Sequence, residues 1–149
     1  MPVSEQMQTL TAADGFKLQA FRATPQGAIR GGLIVLQEIF GLTDQMKSVV
    51  RSYAEDGDDT IFPCVLDRVS PAAVVPFSEP DRGREMAYNL DLTKVSLDTA
   101  AAAVPYAARM AHRCSASAWA AAWWCARPRT SNCAGRSRSM ARGCRTTSI

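Results

Sequence analysis

The sequence predicts an α/β fold built on a mostly parallel sheet, and two features support this prediction. Residues 32–37 form a short continuous apolar run, which is typical of a strand buried on both faces of such a sheet. From this run to about residue 110, predicted strands and helices alternate, as they do in βαβ units. A length of 149 residues leaves room for one domain.

The first predicted element is a β-hairpin that precedes the buried strand. Apolar and polar residues alternate over residues 6–10 and 16–22, which is the pattern of half-buried strands. Ala13-Asp14-Gly15 between them is a turn signal. We therefore expect two antiparallel strands at the start of the chain, followed by a loop over residues 25–32.

A helix and a second strand are predicted after the buried run. Thr43 is the expected N-cap of a helix that continues to about Glu55, with its apolar residues at helical spacing. Residues 60–63 are the expected strand, and Asp58 and Asp59 give it an unusually polar start.

The last predicted elements are two helices after a long loop. The loop covers residues 65–80, and the helices cover residues 81–90 and 93 to about 110. Pro105 is expected to kink or interrupt the second helix, because proline lacks the N–H that a helix interior needs. From Arg113 onward the periodicity stops, and neither a strand nor an amphipathic helix is predicted.

Charge is divided unevenly along the chain. Residues 1–110 hold 10 basic and 14 acidic residues, a net charge of −4, whereas residues 111–149 hold seven Arg and no Asp, Glu or Lys. Such a split is typical of a basic arm, and it also arises when two segments have different origins.

The cysteines and the hydropathy exclude some classes of protein. The five Cys are odd in number, no secretory signal precedes them, and they show no CxxC spacing, so we expect reduced thiols, no metal, no cofactor and a cytoplasmic protein. The longest apolar stretch, residues 116–126, is shorter than the roughly 20 residues that span a bilayer. No membrane association is expected.

Three segments resemble one enzyme family. They are Asp14-Gly15-Phe16, Arg82-Gly83-Arg84-Glu85-Met86-Ala87-Tyr88 and, most specifically, Leu36-Gln37-Glu38-Ile39-Phe40-Gly41. Together with residues 54–57 and Leu66-Asp67-Arg68, their order and spacing resemble the dienelactone hydrolase (carboxymethylenebutenolidase) family over about residues 5–110. The resemblance implies an α/β-hydrolase fold, truncated here to its N-terminal strands and helices, as a partial domain over residues 1–112.

The resemblance also implies roles for two residues. Members of the family open lactones with a Cys nucleophile that lies in a G-x-C-x-G turn. An Asp and a His complete the catalytic triad with this Cys. Glu38 is then the carboxylate that supports the nucleophile, and Arg84 binds a carboxylate of a small-molecule lactone or ester, with Arg82 as its competitor. The alternative interpretation makes Glu38 a loop residue and Arg84 a surface ion-pair partner on a helix.

The nucleophile and the general base are absent from the sequence as written. Cys114 and Cys125 lack the glycines of the strand-to-helix turn, and no His follows residue 112. Cys64 has no flanking Gly and is expected to be a small buried hydrophobe. His112, at a predicted helix end, is expected to have no catalytic role. We therefore expect this chain to be inactive.

The tail, residues 113–149, has the composition of GC-rich DNA read out of frame. Codons that start one base earlier must encode Gly across Trp119 and Ala120 and Val across Trp123 and Trp124, and they can encode Cys across Ser117 and Ala118. The permitted string contains an apolar strand and then G-x-C-x-G-G. We interpret the tail as the product of a frameshift at or just before Arg113, and we expect it to be disordered.

The alternative is that the tail is a genuine basic arm of a non-enzymatic fragment. Its seven Arg with Trp119, Trp123 and Trp124 could bind nucleic acid through phosphate contacts and stacking. They could equally lie on an anionic surface. The frameshift is favoured over both forms of this alternative, so no nucleic-acid partner is expected. Salt-dependent DNA or RNA binding that is lost on deleting residues 113–149 would support the arm.

Overall fold

Within the residues that the structure describes, the sheet has five strands. The computed structural model describes residues 2–106 and 112–116, with the backbone alone for Tyr106 and for residues 112–116. The spatial order is β1-β2-β4-β3-β5. In chain order the strands are β1 (Val3–Thr11), β2 (Lys17–Pro25), β3 (Gly31–Leu36), β4 (Asp58–Pro63) and β5 (His112–Ala116). β1, β2 and β4 pair antiparallel in that order, and β3 is parallel to both β4 and β5.

The described part of the chain has three α-helices, which pack on this sheet and beside it. They are α1 (Asp44–Glu55), α2 (Pro80–Tyr88) and α3 (Leu92–Ala103), with 3₁₀ turns over Val65–Arg68 and Val104–Tyr106. α1 covers one face of the sheet through Val50 and Ala54, and α3 covers the other through Ala102. No helix in the described part of the chain is long and apolar enough to cross a membrane.

β3 is buried on both faces, as its sequence predicts. Ile34 and Leu36 pack in the core on the α3 side, whereas Leu33 and Val35 pack on the α1 side. Successive side chains of a strand point to opposite faces, so a run with no polar residue requires cover on both. The strand therefore ends in the interior of the fold, between β4 and β5.

The hairpin and the first helix are confirmed. β1 and β2 pair along their whole length, and the turn between them uses Gly15 at φ +82°. The Thr43 side chain accepts a hydrogen bond of 3.3 Å from the Met46 N–H, and α1 ends at Glu55. An N-cap of this kind satisfies one of the N–H groups that the first turn of a helix leaves unpaired.

The polar start of β4 has a partner on the neighbouring strand. Asp59 is 1% exposed, and it accepts hydrogen bonds from Arg22 Nε at 2.8 Å, Arg22 Nη2 at 2.5 Å and Thr24 Oγ1 at 3.0 Å. The carboxylate is therefore buried with its charge paired, which is the condition under which a buried charge is tolerated.

Two outcomes concern the end of the described chain. Pro105 interrupts the second predicted helix: α3 ends at Ala103, and the chain continues as a 3₁₀ turn. The prediction that no strand follows Arg113 is wrong for residues 112–116, because β5 pairs in parallel with β3. Ladder hydrogen bonds join main-chain groups, which every residue except proline supplies, so an edge strand needs no apolar alternation. Residues 117–149 lie outside the described residues.

Candidate active site at the carboxyl end of β3

Glu38 is exposed directly beyond the carboxyl end of β3. The strand ends at Leu36, and the next residue, Gln37, is buried. The Gln37 Oε1 atom accepts a hydrogen bond of 3.4 Å from the Leu66 N–H in the 3₁₀ turn that follows β4. Glu38 therefore lies in solvent on a backbone that is fixed on its N-terminal side, at the sheet edge where open α/β sheets bind ligands.

The backbone on the C-terminal side of Glu38 is also held. The Phe40 carbonyl accepts a hydrogen bond of 3.0 Å from the Val75 N–H, and Gly41 forms an antiparallel bridge with Val74. Gly41 has φ +76°, and a Cβ there would lie 2.2 Å from the Ala73 carbonyl oxygen. Only glycine fits this approach. The Glu38 loop, residues 37–41, thus packs against residues 73–75.

α2 docks on the same loop through a glycine. A Cβ on Gly83 would lie 2.6 Å from the Ile39 carbonyl oxygen, so the helix backbone approaches the loop too closely for any larger residue. Glu38 precedes Ile39, and Arg82 and Arg84 flank Gly83. Glu38 and both arginines are therefore the immediate chain neighbours of the two residues that make this contact.

Both arginines of α2 form exposed ion pairs within the helix. Arg84 Nη1 donates to Asp81 Oδ1 at 2.6 Å, and Arg82 Nη1 donates to Glu79 Oε2 at 3.1 Å. The arginine side chains are 55% and 60% exposed, respectively. Pairs of this kind contribute about 0–1 kcal/mol, so either guanidinium can leave its partner for a ligand. The choice of Arg84 over Arg82 stays a prediction.

A cleft of about 350 Å³ lies beside the Glu38 loop. It is lined mainly by Leu42, Thr43 and Lys47 around the start of α1 and by Val74, Pro76 and Phe77 on the facing segment. Phe77 also contacts Phe40 edge to face, with ring centroids 4.8 Å apart. Neither Glu38 nor Arg84 lines this cleft.

Cys64 is not an activated thiol. The residue is buried in the core on the α1 side, and burial, with the nearby Asp67 charge second, raises the pKa of its thiol to about 12. Thiolate is the nucleophilic form of cysteine, and such a pKa leaves almost none of it at neutral pH. The interpretation of Cys64 as a small buried hydrophobe is confirmed.

The backbone of His112 lies far from Glu38. His112 is the first residue of β5 and pairs with Gly32, at the opposite end of β3 from Leu36, roughly 13 Å away along the strand. Ala116, at the other end of β5, pairs with Leu36 and therefore lies beside the start of the Glu38 loop. Among residues whose side chains are described, no group of three or more His, Cys, Asp or Glu could hold a metal.

An ion cluster joins two of the family-like segments. Arg68 donates to Asp98 at 2.7 Å through both Nε and Nη2, and to Asp14 at 2.9 and 3.2 Å. Its guanidinium also lies over the Phe16 ring, 4.3 Å from the centroid. Asp14-Gly15-Phe16 and Leu66-Asp67-Arg68 are thus in direct contact, and this contact ties the hairpin to α3 rather than forming the candidate site.

Sequence reasoning missed the glycine that brings the site together. Gly83 lies inside a helical pattern, where glycine is less favourable than alanine by about 1 kcal/mol. In the structure this glycine has a packing reason, the close approach to Ile39. A glycine within a helical pattern could be recognised in the sequence, but its contact with the Ile39 carbonyl could not.

The strand order and the crossover through α1, which joins the parallel strands β3 and β4, define an α/β fold. Among solved structures, the chain is similar to a protein from Klebsiella pneumoniae assigned as a dienelactone hydrolase, with 19% identity over 80% of this chain and 51% of that one, at a TM-score of 0.66. It is also similar to the protein m3DLH, with 17% identity over 76% of this chain and 48% of that one, at a TM-score of 0.56.

A third similar structure is a dienelactone hydrolase-like promiscuous phosphotriesterase from metagenomic libraries, with 18% identity, 76% and 48% coverage and a TM-score of 0.51. At these identities the likeness shows the α/β-hydrolase fold, and the chain spans about half the length of each structure. Models of known protein families give no match, and a search of curated proteins finds no similar sequence.

Proposed function

We propose that this chain carries part of a dienelactone hydrolase-type enzyme, which hydrolyses a small ester or lactone that bears a carboxylate. The observation that supports the proposal is the close approach of Gly83 to the Ile39 carbonyl, because Glu38 and the two arginines of α2 are the chain neighbours of these two residues. In this proposal Glu38 supports a cysteine nucleophile, and Arg84 binds the substrate carboxylate.

The chemistry of the two side chains suits these roles. A guanidinium offers two parallel N–H donors to a carboxylate, and the exposed pair with Asp81 is weak enough to be exchanged for a ligand. Glu38 is an exposed carboxylate on a fixed loop, so it can exchange a proton or a hydrogen bond with a neighbouring thiol without movement of the backbone. The loop between the third strand and the first helix also provides an oxyanion-hole N–H in α/β-hydrolases.

The position of the missing nucleophile supports the frameshift hypothesis. β5 ends at Ala116 beside Leu36, and the shifted frame can encode Cys across Ser117 and Ala118. A cysteine encoded there would follow the strand directly, as the nucleophile does in a strand-to-helix elbow. We therefore propose that a one-base change at or before codon 113 separates this chain from an active enzyme. As written, the chain should be inactive, because a triad acts as a unit.

The test starts with the DNA. We would sequence codons 105–130 in the genome and express two proteins: the chain as written and the chain with its frame restored. Hydrolysis of an aryl ester with a carboxylate would be compared with that of a neutral ester of equal size. We expect turnover by the restored chain alone. An intact frame through codon 149, or a restored chain without esterase activity, would refute the proposal. In the former case, nucleic-acid binding by the tail becomes the property to assay.

Arg84→Gln and Arg82→Gln in the restored chain then separate the two arginines. Loss of a charge-assisted hydrogen bond should raise KM for the carboxylate ester by about 10- to 100-fold in the Arg84 variant and leave the neutral ester unchanged. The Arg82 variant should match the unsubstituted enzyme. The reverse result would assign the carboxylate to Arg82.

A further inference from the structure

Asp67 accepts two partly buried hydrogen bonds from main-chain N–H groups. Its Oδ2 atom accepts a hydrogen bond of 2.8 Å from the Gln19 N–H, and its Oδ1 atom accepts one of 2.9 Å from the Ala72 N–H. The side chain is buried in the 3₁₀ turn that follows β4. A carboxylate that accepts main-chain N–H groups fixes the backbone that carries them.

Ala72 has an unusual backbone conformation. Its φ is +55°, in the left-handed region, and no other non-glycine residue in the described ranges has a positive φ. L side chains disfavour this region because Cβ approaches the backbone carbonyl. A residue keeps such a conformation when its surroundings hold it. Two hydrogen bonds do so around Ala72: its own N–H donates to the Asp67 carboxylate, and the Ala73 N–H donates to the Ser70 carbonyl at 3.2 Å across the turn that contains Pro71.

The turn at Ala72 directs the chain onto the Glu38 loop. Ala73 packs its carbonyl against Gly41, Val74 bridges Gly41, and the Val75 N–H binds the Phe40 carbonyl. On the other side of Glu38, Leu66, the neighbour of Asp67, donates its N–H to Gln37. One short segment, residues 66–75, therefore contacts the Gln37 side chain before Glu38 and the backbone of Phe40 and Gly41 after it.

We infer that Asp67 is a positioning residue for Glu38, which acts by imposing the left-handed conformation of Ala72 and so clamping residues 73–75 onto the Glu38 loop. The inference rests on the proposed function in one respect, which is that Glu38 acts in catalysis. The clamp itself belongs to the 149-residue chain and can be measured there.

The first test is amide hydrogen exchange on the chain as it is. Asp67→Asn should speed exchange at the Val75 N–H by about tenfold or more, the loss expected for one charge-assisted hydrogen bond, while amides of β3 change less. Asp59→Asn is the matched control, since Asp59 is a buried carboxylate on β4 that accepts hydrogen bonds from Arg22 and Thr24 instead. This variant should not speed hydrogen exchange at the Val75 N–H more than at other amides.

Ala72→Gly is the rescue variant. Glycine adopts a positive φ without a Cβ clash, so Asp67→Asn combined with Ala72→Gly should return Val75 exchange to within about threefold of the unsubstituted chain. Ala72→Val should also speed exchange at the Val75 N–H while Asp67 is intact. This variant replaces Asp67→Asn in the test if Asp67→Asn does not fold. Equal acceleration of all amides by Asp67→Asn and by Ala72→Val, or no rescue by glycine, would make Asp67 a general stabilising residue and overturn the inference.

The second test uses the frame-restored enzyme. Misplacement of Glu38 should lower kcat of the Asp67→Asn variant by about tenfold or more, with KM for the carboxylate ester nearly unchanged because Arg84 is held by α2. Ala72→Gly should restore kcat. If the restored enzyme has no activity at all, the proposed function fails, and hydrogen exchange still decides whether Asp67 clamps the loop.

Discussion

Arg68 and Arg84 are both paired with aspartates, but the Arg68 pair is buried and the Arg84 pair is exposed. The Arg68 side chain is 9% exposed and Asp98 is fully buried, whereas the Arg84 side chain is 55% exposed and Asp81 is 94% exposed. The bond lengths are nearly equal, 2.7 Å for Arg68 Nη2 to Asp98 and 2.6 Å for Arg84 to Asp81. Burial, and not the geometry of the pair, therefore separates a structural arginine from one available to a ligand.

The surroundings of Arg68 strengthen the contrast. The hydrogen bonds that Arg68 donates to Asp98 first, and to Asp14, raise the pKa of its guanidinium further above its ordinary value, although burial opposes them. The cation also lies over the Phe16 ring. Every strong contact of Arg68 joins segments that are distant in sequence, whereas the Arg84 pair lies within one turn of α2. Replacing Arg68 should therefore destabilise the contacts between these segments of the fold.

The largest expected effect follows from removing the buried partner. Asp98→Ala leaves the Arg68 charge buried with its best partner gone, which should lower the free energy of unfolding by about 3–5 kcal/mol. Urea unfolding followed by circular dichroism measures the change. Asp81→Ala is the matched control and should leave the midpoint within error. If Asp98→Ala does not fold, Asp98→Asn, which keeps one acceptor oxygen, should give a smaller loss. Equal midpoints for the Asp98 and Asp81 variants would break the comparison.

A smaller effect is expected from pH. The hydrogen bond from Arg68 holds the pKa of the exposed Asp14 carboxyl below its ordinary value, with the Phe16 N–H as a further cause. A lowered pKa in the folded state contributes stability that is present above the unfolded value of about 3.9 and is lost as the pH falls through the folded value. The Asp14 carboxyl carbon should titrate in NMR spectra with a midpoint below that of an unfolded aspartate.

The matching variant for this measurement is Asp14→Asn. It should remove part of the acid-induced loss of stability between the two pKa values while leaving the fold intact, because Asp98 still pairs with Arg68. A midpoint at the ordinary aspartate value would show that Arg68 does not bind Asp14 in solution, and it would reduce the cluster to a single pair.

The sequence predicts what depends on near neighbours and misses what depends on distant ones. The capped helix α1 and the buried strand β3 were predicted, because Thr43 caps a residue three positions away and the apolar run of β3 is continuous. The Arg68 cluster was not, since its partners lie 30 and 54 positions away. β5 was missed because its pairing with β3 depends on main-chain groups that carry no side-chain signal.

The candidate site shows the same division. The resemblance indicated Glu38 and Arg84, but the contacts that place them, Gly83 with Ile39 and Gly41 with Ala73, join separate segments. The turn over residues 70–73 puts Ala72 at a positive φ, and although Pro71 is a turn signal, alanine does not mark a left-handed position. A glycine or asparagine at that position would have been a signal.

The smallest expected effect completes the comparison. Arg84→Gln should change the free energy of unfolding by less than about 0.5 kcal/mol, as should Arg82→Gln, because an exposed pair three residues apart on a helix contributes little. Urea unfolding of both variants at low and moderate salt provides the measurement. A loss above about 1 kcal/mol for Arg84 alone would mean that the fold depends on it as it depends on Arg68. An arginine that the fold does not require can exchange its partner for another carboxylate at almost no cost in stability, and this property, which Arg84 shares with Arg82, distinguishes both arginines from Arg68.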